Sequence, residues 1–251
     1  MKDARVMAFI NLYAILGTLP YLCELDEEAA AWIQGKKISI GFAVKNGPMA
    51  ALRFEDGRCT LSEGIEGVDI VLPFSSCIKF NGMIDGTVNP FPSRGFLKIG
   101  FLLHEFQKLT DRLSYYLKAD DKSLTNEIFF KKSTTLMLHL ILSAAAAVAN
   151  EDRIGRASAA YIVDGTIRVA IKDELACGLI AKGHRLTAVH RAPEHYFSYM
   201  CFSDITAARA LFDGKANAVA SVGEGKIRVG GMISQIDNLN RILDRVSIYL
   251  A

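Results

Sequence analysis

Several arrangements that would point to chemistry are missing from this sequence. It has no CxxC pair, no GxSxG elbow, no HExxH helix and no EF-hand loop. These absences remove the motif-based case for a zinc finger, a serine hydrolase, a zinc protease or a calcium sensor. Charge of one sign is missing too: 29 Lys and Arg face 27 Asp and Glu, for a net charge of +2. A balance this close leaves no electrostatic footprint for nucleic acid. Proline is sparse at six residues, while 51% of the chain is apolar, which excludes a disordered or fibrous protein. The five cysteines (Cys23, Cys59, Cys77, Cys177 and Cys201) are odd in number and widely scattered. They read as small buried apolar residues in a reducing compartment, so the expected location is cytoplasmic.

Two uncharged stretches stand out. Residues 6–23, VMAFINLYAILGTLPYLC, follow Lys2 and Arg5, and residues 133–149, STTLMLHLILSAAAAVA, follow Lys131 and Lys132. Asp3, Asn11 and Pro20 speak against a signal peptide or anchor in the first, and His139, Ser143 and the alanine content weaken the second. Both are expected to form buried helices, with no stable membrane span.

The chain reads as one unit written twice. FSSCIKFNGMIDG at 74–86 and FSDITAARALFDG at 202–214 align without a gap. Each is followed by a glycine-flanked segment expected to be a strand, GFLKIGF at 95–101 and GKIRVGG at 225–231, and then by DRLSYYL at 111–117 or DRVSIYL at 244–250. Asn46-Gly47 and Asp164-Gly165 are expected to turn a hairpin in each copy. Ser203 is expected to cap the short helix DITAARALF. The domains are accordingly placed at 1–122 and 123–251, parted at the polar stretch KADDKS (118–123). Alternating apolar residues in TIRVAIK mark a strand, and Ile236, Leu239, Leu243, Val246 and Leu250 form one stripe of the closing helix. Phe106, Leu109, Leu113 and either Tyr116 or Leu117 form its counterpart in the first copy. The expected fold class is α+β, a sheet with helices on one face, in each copy.

The run FSDITAARALFDGKANAVASVGEGKIRVGGMISQIDNLNRILDRVSIYL (202–250) resembles the C-terminal half of a sterol carrier protein 2 domain, and the repeat makes this a tandem duplication of that SCP2-like family. The first copy departs from the pattern: Thr87 replaces a lysine, and Pro90 and Pro92 replace the glycine turn. The resemblance implies a mostly antiparallel five-stranded sheet covered by helices, with an apolar tunnel between the layers. It further implies binding or transfer of a hydrophobic small molecule (a fatty acid, acyl-CoA or sterol-like lipid) without chemistry and without a cofactor. Phe202, Phe212, Leu243, Val246 and Leu250 are the residues placed in that lining. The same side chains would serve a filled core equally well, so a ligand-free interaction or dimerisation module, including a homo-oligomer, is the alternative.

His184, His190 and His195 lie in HRLTAVHRAPEH with Glu194. His190 and His195 are spaced for neither a helical nor a strand metal site, so the segment reads as a surface strand and loop, and no metal ligand or catalytic residue is assigned. Gly223 to Gly230 is expected to be a hairpin turn, and Asp111-Arg112 and Asp244-Arg245 a solvated face with local ion pairs.

Overall fold

A computed structural model describes residues 2–251. The chain divides into two compact units, Met1–Lys132 and Ser133–Ala251. Each is α+β.

In the first unit, an apolar helical run occupies Ala4–Leu25. Asp3 caps its start by accepting hydrogen bonds from the amides of Arg5 and Val6. The run widens to a π turn over Asn11–Ile15, where Asn11 is buried and donates to Asn81 at 3.0 Å. Four strands follow: β1 (Lys37–Val44), β2 (Met49–Glu55), β3 (Arg58–Glu63) and β4 (Ile70–Phe74). Their order across the sheet is β3-β2-β1-β4, with β1, β2 and β3 antiparallel and β4 parallel to β1. Phe42, Phe54, Phe74 and Phe80 form its aromatic core, with ring centroids 5.1 Å apart for Phe74–Phe80 and 6.1 Å for Phe42–Phe80.

The second unit repeats the order and adds a strand. β5 (Gly165–Ile171), β6 (Leu175–Lys182), β7 (Arg185–Val189), β8 (Ser198–Phe202) and β9 (Ile227–Gly231) lie in the order β7-β6-β5-β8-β9, with β8 parallel to β5. The sheets are therefore mixed, and the first has four strands, where five mostly antiparallel ones were expected. The parallel pair arises because the chain leaves the far strand of a three-strand meander and returns to the free edge of β1 or β5. No sequence period distinguishes that return from another hairpin.

The missing fifth strand has a visible cause. The segment GFLKIGF, expected to be a strand, is helical: a 3-10 turn at Phe96–Lys98 leads into Ile99–Phe101. Only one bridge, Val71 to Arg94, survives where β9 pairs with β8 in the second unit. Pro90 and Pro92 have no N–H to donate to a ladder, and Gly95 turns the chain away at φ 89.

Other local expectations change as well. The hairpin turn of the second unit lies at Lys172–Glu174, with Asp173 at φ 59, matching Asn46 at φ 57 in the first. Asp164-Gly165 instead leads out of the helix Arg153–Ala159 into β5. The short helix Ile205–Phe212 is capped by Asp204, which accepts from the Ala207 amide at 2.8 Å, so Ser203 is not its cap. Ser76 plays that part for Cys77–Ile84. Gly223 ends a helix, Ala218–Gly223, so the turn before β9 joins a helix to a strand rather than two strands.

Both apolar stretches are helical. By length and composition alone Ala4–Leu25 and Glu127–Glu151 could cross a membrane, and 61% and 72% of their most apolar windows are buried.

The closing helices, Gln107–Leu117 and Ile233–Leu250, carry the clearest repeated detail. In the first unit, Asp26 caps the helix Glu27–Trp32 and receives Arg112 Nε at 2.7 Å and the Tyr116 hydroxyl at 2.8 Å. In the second, Asp152 caps Arg153–Ala159 and receives Arg245 at 2.8 Å and the Tyr249 hydroxyl at 2.8 Å. The arginines thus point inward to a buried carboxylate, correcting the expected solvated face. Burial pushes the Asp152 carboxyl up, but the bonds from Arg245, the Gly155 amide and Tyr249 outweigh it and hold the pKa at about 2. Asp26 is lowered by the same opposition of burial against Arg112 and Tyr116.

Candidate functional site

The first unit holds an apolar cleft of about 690 Å³ at the end of its sheet. β1 contributes Val44, β2 Met49, and β4 Pro73 and Phe74, while Val88, Pro90 and Phe91 form the opposite wall. The chain just beyond that wall is held beside β4 by the single bridge from Arg94 to Val71. Phe91 is 72% exposed and packs against Phe96 at 5.4 Å between centroids. Lys45, in the hairpin turn, and Lys79, on the short helix, are the cationic residues in the lining of the same cleft. The volume falls within the range of about 300–1,000 Å³ found for small-molecule sites. An apolar trough with cations at its side can take an alkyl chain and hold an acidic head.

The residues assigned to a lining from sequence lie in the second unit. Phe202, on β8, is 1% exposed and meets Phe212 edge-on at 5.5 Å. Val246 is buried, whereas Leu243 and Leu250 are half-buried on the flank of the closing helix. The buried stripe of that helix runs instead through Gln235, Asn238, Leu239, Ile242, Val246 and Tyr249. Gln235 and Asn238 escaped a reading based on apolar spacing, although both are held by hydrogen bonds: Gln235 accepts from Ser198 Oγ at 2.6 Å and Asn238 donates to the Ser234 carbonyl at 2.8 Å.

A second group of chemistry-bearing residues sits in the same unit. His139 lies on the helix Glu127–Glu151, Cys177 on β6, and His190 immediately after β7. The Nδ1 atoms of the two histidines are 2.8 Å apart, Cys177 Sγ is 3.8 Å from His139 Nδ1, and Ser143 Oγ is 3.0 Å from His190 Nε2. Burial lowers the pKa of His139 to about 3, helped by His190, and that of His190 to about 4. Burial raises the Cys177 thiol to about 12. His190 is therefore turned inward, which corrects its placement on a surface loop, and its partner is His139 rather than His195. No local spacing signals the cluster, since its members are 38 and 13 residues apart along the chain; the nearest hint is a histidine in an uncharged helix.

No protein-family model matches the chain, and no curated protein matches it. Among solved structures it is similar to a ubiquinone synthesis protein, UbiJ-SCP2, at 14% identity and a TM-score of 0.35, over 42% of this chain and 91% of that one. It is also similar to the sterol carrier protein domain 2 of Helicoverpa armigera, at 12% identity and a TM-score of 0.37, over 44% of this chain and 88% of that one. A further likeness is to the inverting sec-alkylsulfatase Pisa1 from Pseudomonas sp., at 10% identity and a TM-score of 0.28, over 56% of this chain and 28% of that one.

Proposed function

We propose that this chain binds a hydrophobic ligand with an anionic head, of the fatty-acid or acyl type, in the cleft of its first unit and without chemical conversion. The observation that carries the reading is the joining of an apolar trough (Val44, Met49, Phe74, Val88, Phe91) to Lys45 and Lys79. Each methylene removed from water contributes about 0.8 kcal/mol, so affinity is expected to grow with the length of alkyl chain that the trough covers. The lysines select the acid over a neutral analogue of equal length. The resemblance of residues 202–250 to sterol carrier domains agrees with this reading. So does the repetition of the Asp–Arg–Tyr contact and the strand order, which we read as a duplicated domain.

The test is displacement of a fluorescent long-chain fatty acid from the full chain. Met49→Glu and Phe91→Glu, both at exposed positions, are expected to weaken binding by about tenfold, since each places a carboxylate in the trough. The double variant Lys45→Glu, Lys79→Glu is expected to weaken the acid while leaving the matching alcohol unchanged. Absence of saturable binding, or variants that bind like the parent, overturns the proposal.

A second reading follows from the exposed apolar side chains Phe91, Phe96, Leu97 and Leu103, of which Phe91 and Phe96 pack together. Covered by a partner, they would serve a protein-interaction module. Self-association that disappears in Leu97→Glu, with no ligand binding in the parent, would favour this second reading.

A further inference from the structure

We propose that His139, Cys177 and His190 bind a zinc ion, with the fourth coordination position left to water or an exchangeable ligand. Three elements far apart in sequence deliver their donor atoms to one place, all within 4.8 Å of one another. Two imidazoles and a thiol suit zinc; the oxygen donors that calcium and magnesium prefer are not in the set. Tetrahedral zinc separates two nitrogen ligands by roughly 3.3 Å and a nitrogen from a sulfur by roughly 3.6 Å. Against those values, the Nδ1 atoms stand 2.8 Å apart and Sγ lies 3.8 Å from Nδ1 of His139. The rings must part by about half an ångström, and the sulfur, in a donor set that spans up to 4.8 Å, must approach His190 by about an ångström, movements within the reach of side-chain torsions.

Three further features fit the assignment. Ser143 Oγ lies 3.0 Å from Nε2 of His190 and can accept its proton, leaving Nδ1 bare for the metal, as the outer partners of ligating histidines do. The Nδ1 atoms of the two rings already face each other at 2.8 Å, a hydrogen-bonded approach that the ion would replace. His139 and Cys177 are buried and His190 is partly buried, which makes His190 the member of the set nearest solvent. On binding, the Cys177 sulfur forms a bond to zinc as its S–H bond breaks; zinc stays divalent, and the proton leaves to buffer.

The experiment uses the full chain without an affinity tag, stripped with a chelator and titrated with zinc, and with cobalt(II) as a spectroscopic substitute. The expected result is one ion per chain, proton release on binding, and a sulfur-to-cobalt charge-transfer absorption. Cys177→Ser and His190→Gln should each abolish stoichiometric uptake, and Ser143→Ala should retain it with affinity lowered by about tenfold. Circular dichroism separates loss of a ligand from loss of the fold, and His190→Gln, at the least buried of the three positions, decides if Cys177→Ser fails to fold. Failure to take up an ion overturns the proposal, leaving a hydrogen-bonded histidine pair. Uptake equal to the parent in both ligand variants, or a cobalt spectrum without the sulfur band, overturns it equally.

Discussion

Asp152→Asn tests the contact that ties the closing helix of the second unit to the rest of it. Asparagine keeps the shape and the capping ability of the side chain, so the helix Arg153–Ala159 keeps its start. What it removes is the negative charge that receives Arg245 at 2.8 Å and the Tyr249 hydroxyl at 2.8 Å. Asp152 titrates at about 2 in the folded chain, against an ordinary 3.8, and it is 4% exposed. At about 1.4 kcal/mol per pKa unit, the charge contributes about 2 kcal/mol at neutral pH. Because the folded value is depressed, that contribution is complete above about pH 4 and is lost as pH falls toward 2. The assay is urea unfolding followed by circular dichroism, because the single tryptophan, Trp32, lies in the first unit. The parent should exceed Asp152→Asn by about 2 kcal/mol at pH 7, with the gap narrowing below about pH 4. Asp152→Ala should lose about 1 kcal/mol more with the cap. A pH 7 difference under about 0.5 kcal/mol, or a gap that does not narrow in acid, would refute the assignment of a buried ion pair.

Two further outcomes follow from the same packing. Arg112→Met leaves Asp26 buried without its cation and should destabilise the first unit by about 3 kcal/mol, read by Trp32 fluorescence during urea unfolding. Gly155→Ala would place a Cβ 2.2 Å from the Val148 carbonyl oxygen, a backbone atom that cannot swing aside. It should cost about 3 kcal/mol or prevent folding of the second unit, whereas Gly214→Ala, with open space around it, should cost only the strain of its positive φ.

The parts of the structure legible in the sequence are those governed by neighbours along the chain. The helical nature of residues 6–23 and 133–149 follows from unbroken apolar runs, and β5 follows from alternation in TIRVAIK. The stripe Leu109, Leu113 and Tyr116 is buried as its spacing requires. Where the expectation failed, a competing local conformation was nearly equal in energy and packing decided. Asp-Gly at 164–165 is a good hairpin signal, yet the turn formed at Asp173, where the strands on both sides could pair. The segment 95–101 has the residues of a strand but turns helical after Gly95, leaving only the Val71–Arg94 bridge. The candidate cleft was not legible at all, because its lining comes from the β1–β2 turn, the end of β4, the short helix and the segment 88–91, which only the tertiary structure brings together.

The sequence by itself determined the α+β class and the amphipathic faces, since each depends on periods of two to four residues or on composition. Tertiary structure alone decided the return of β4 and β8 beside β1 and β5, the pairing of Asp26 with Arg112 and of Asp152 with Arg245, and the meeting of His139, Cys177 and His190. These contacts join residues dozens of positions apart. Their energy depends on where burial strips water from each partner, and that is settled only once the layers have packed.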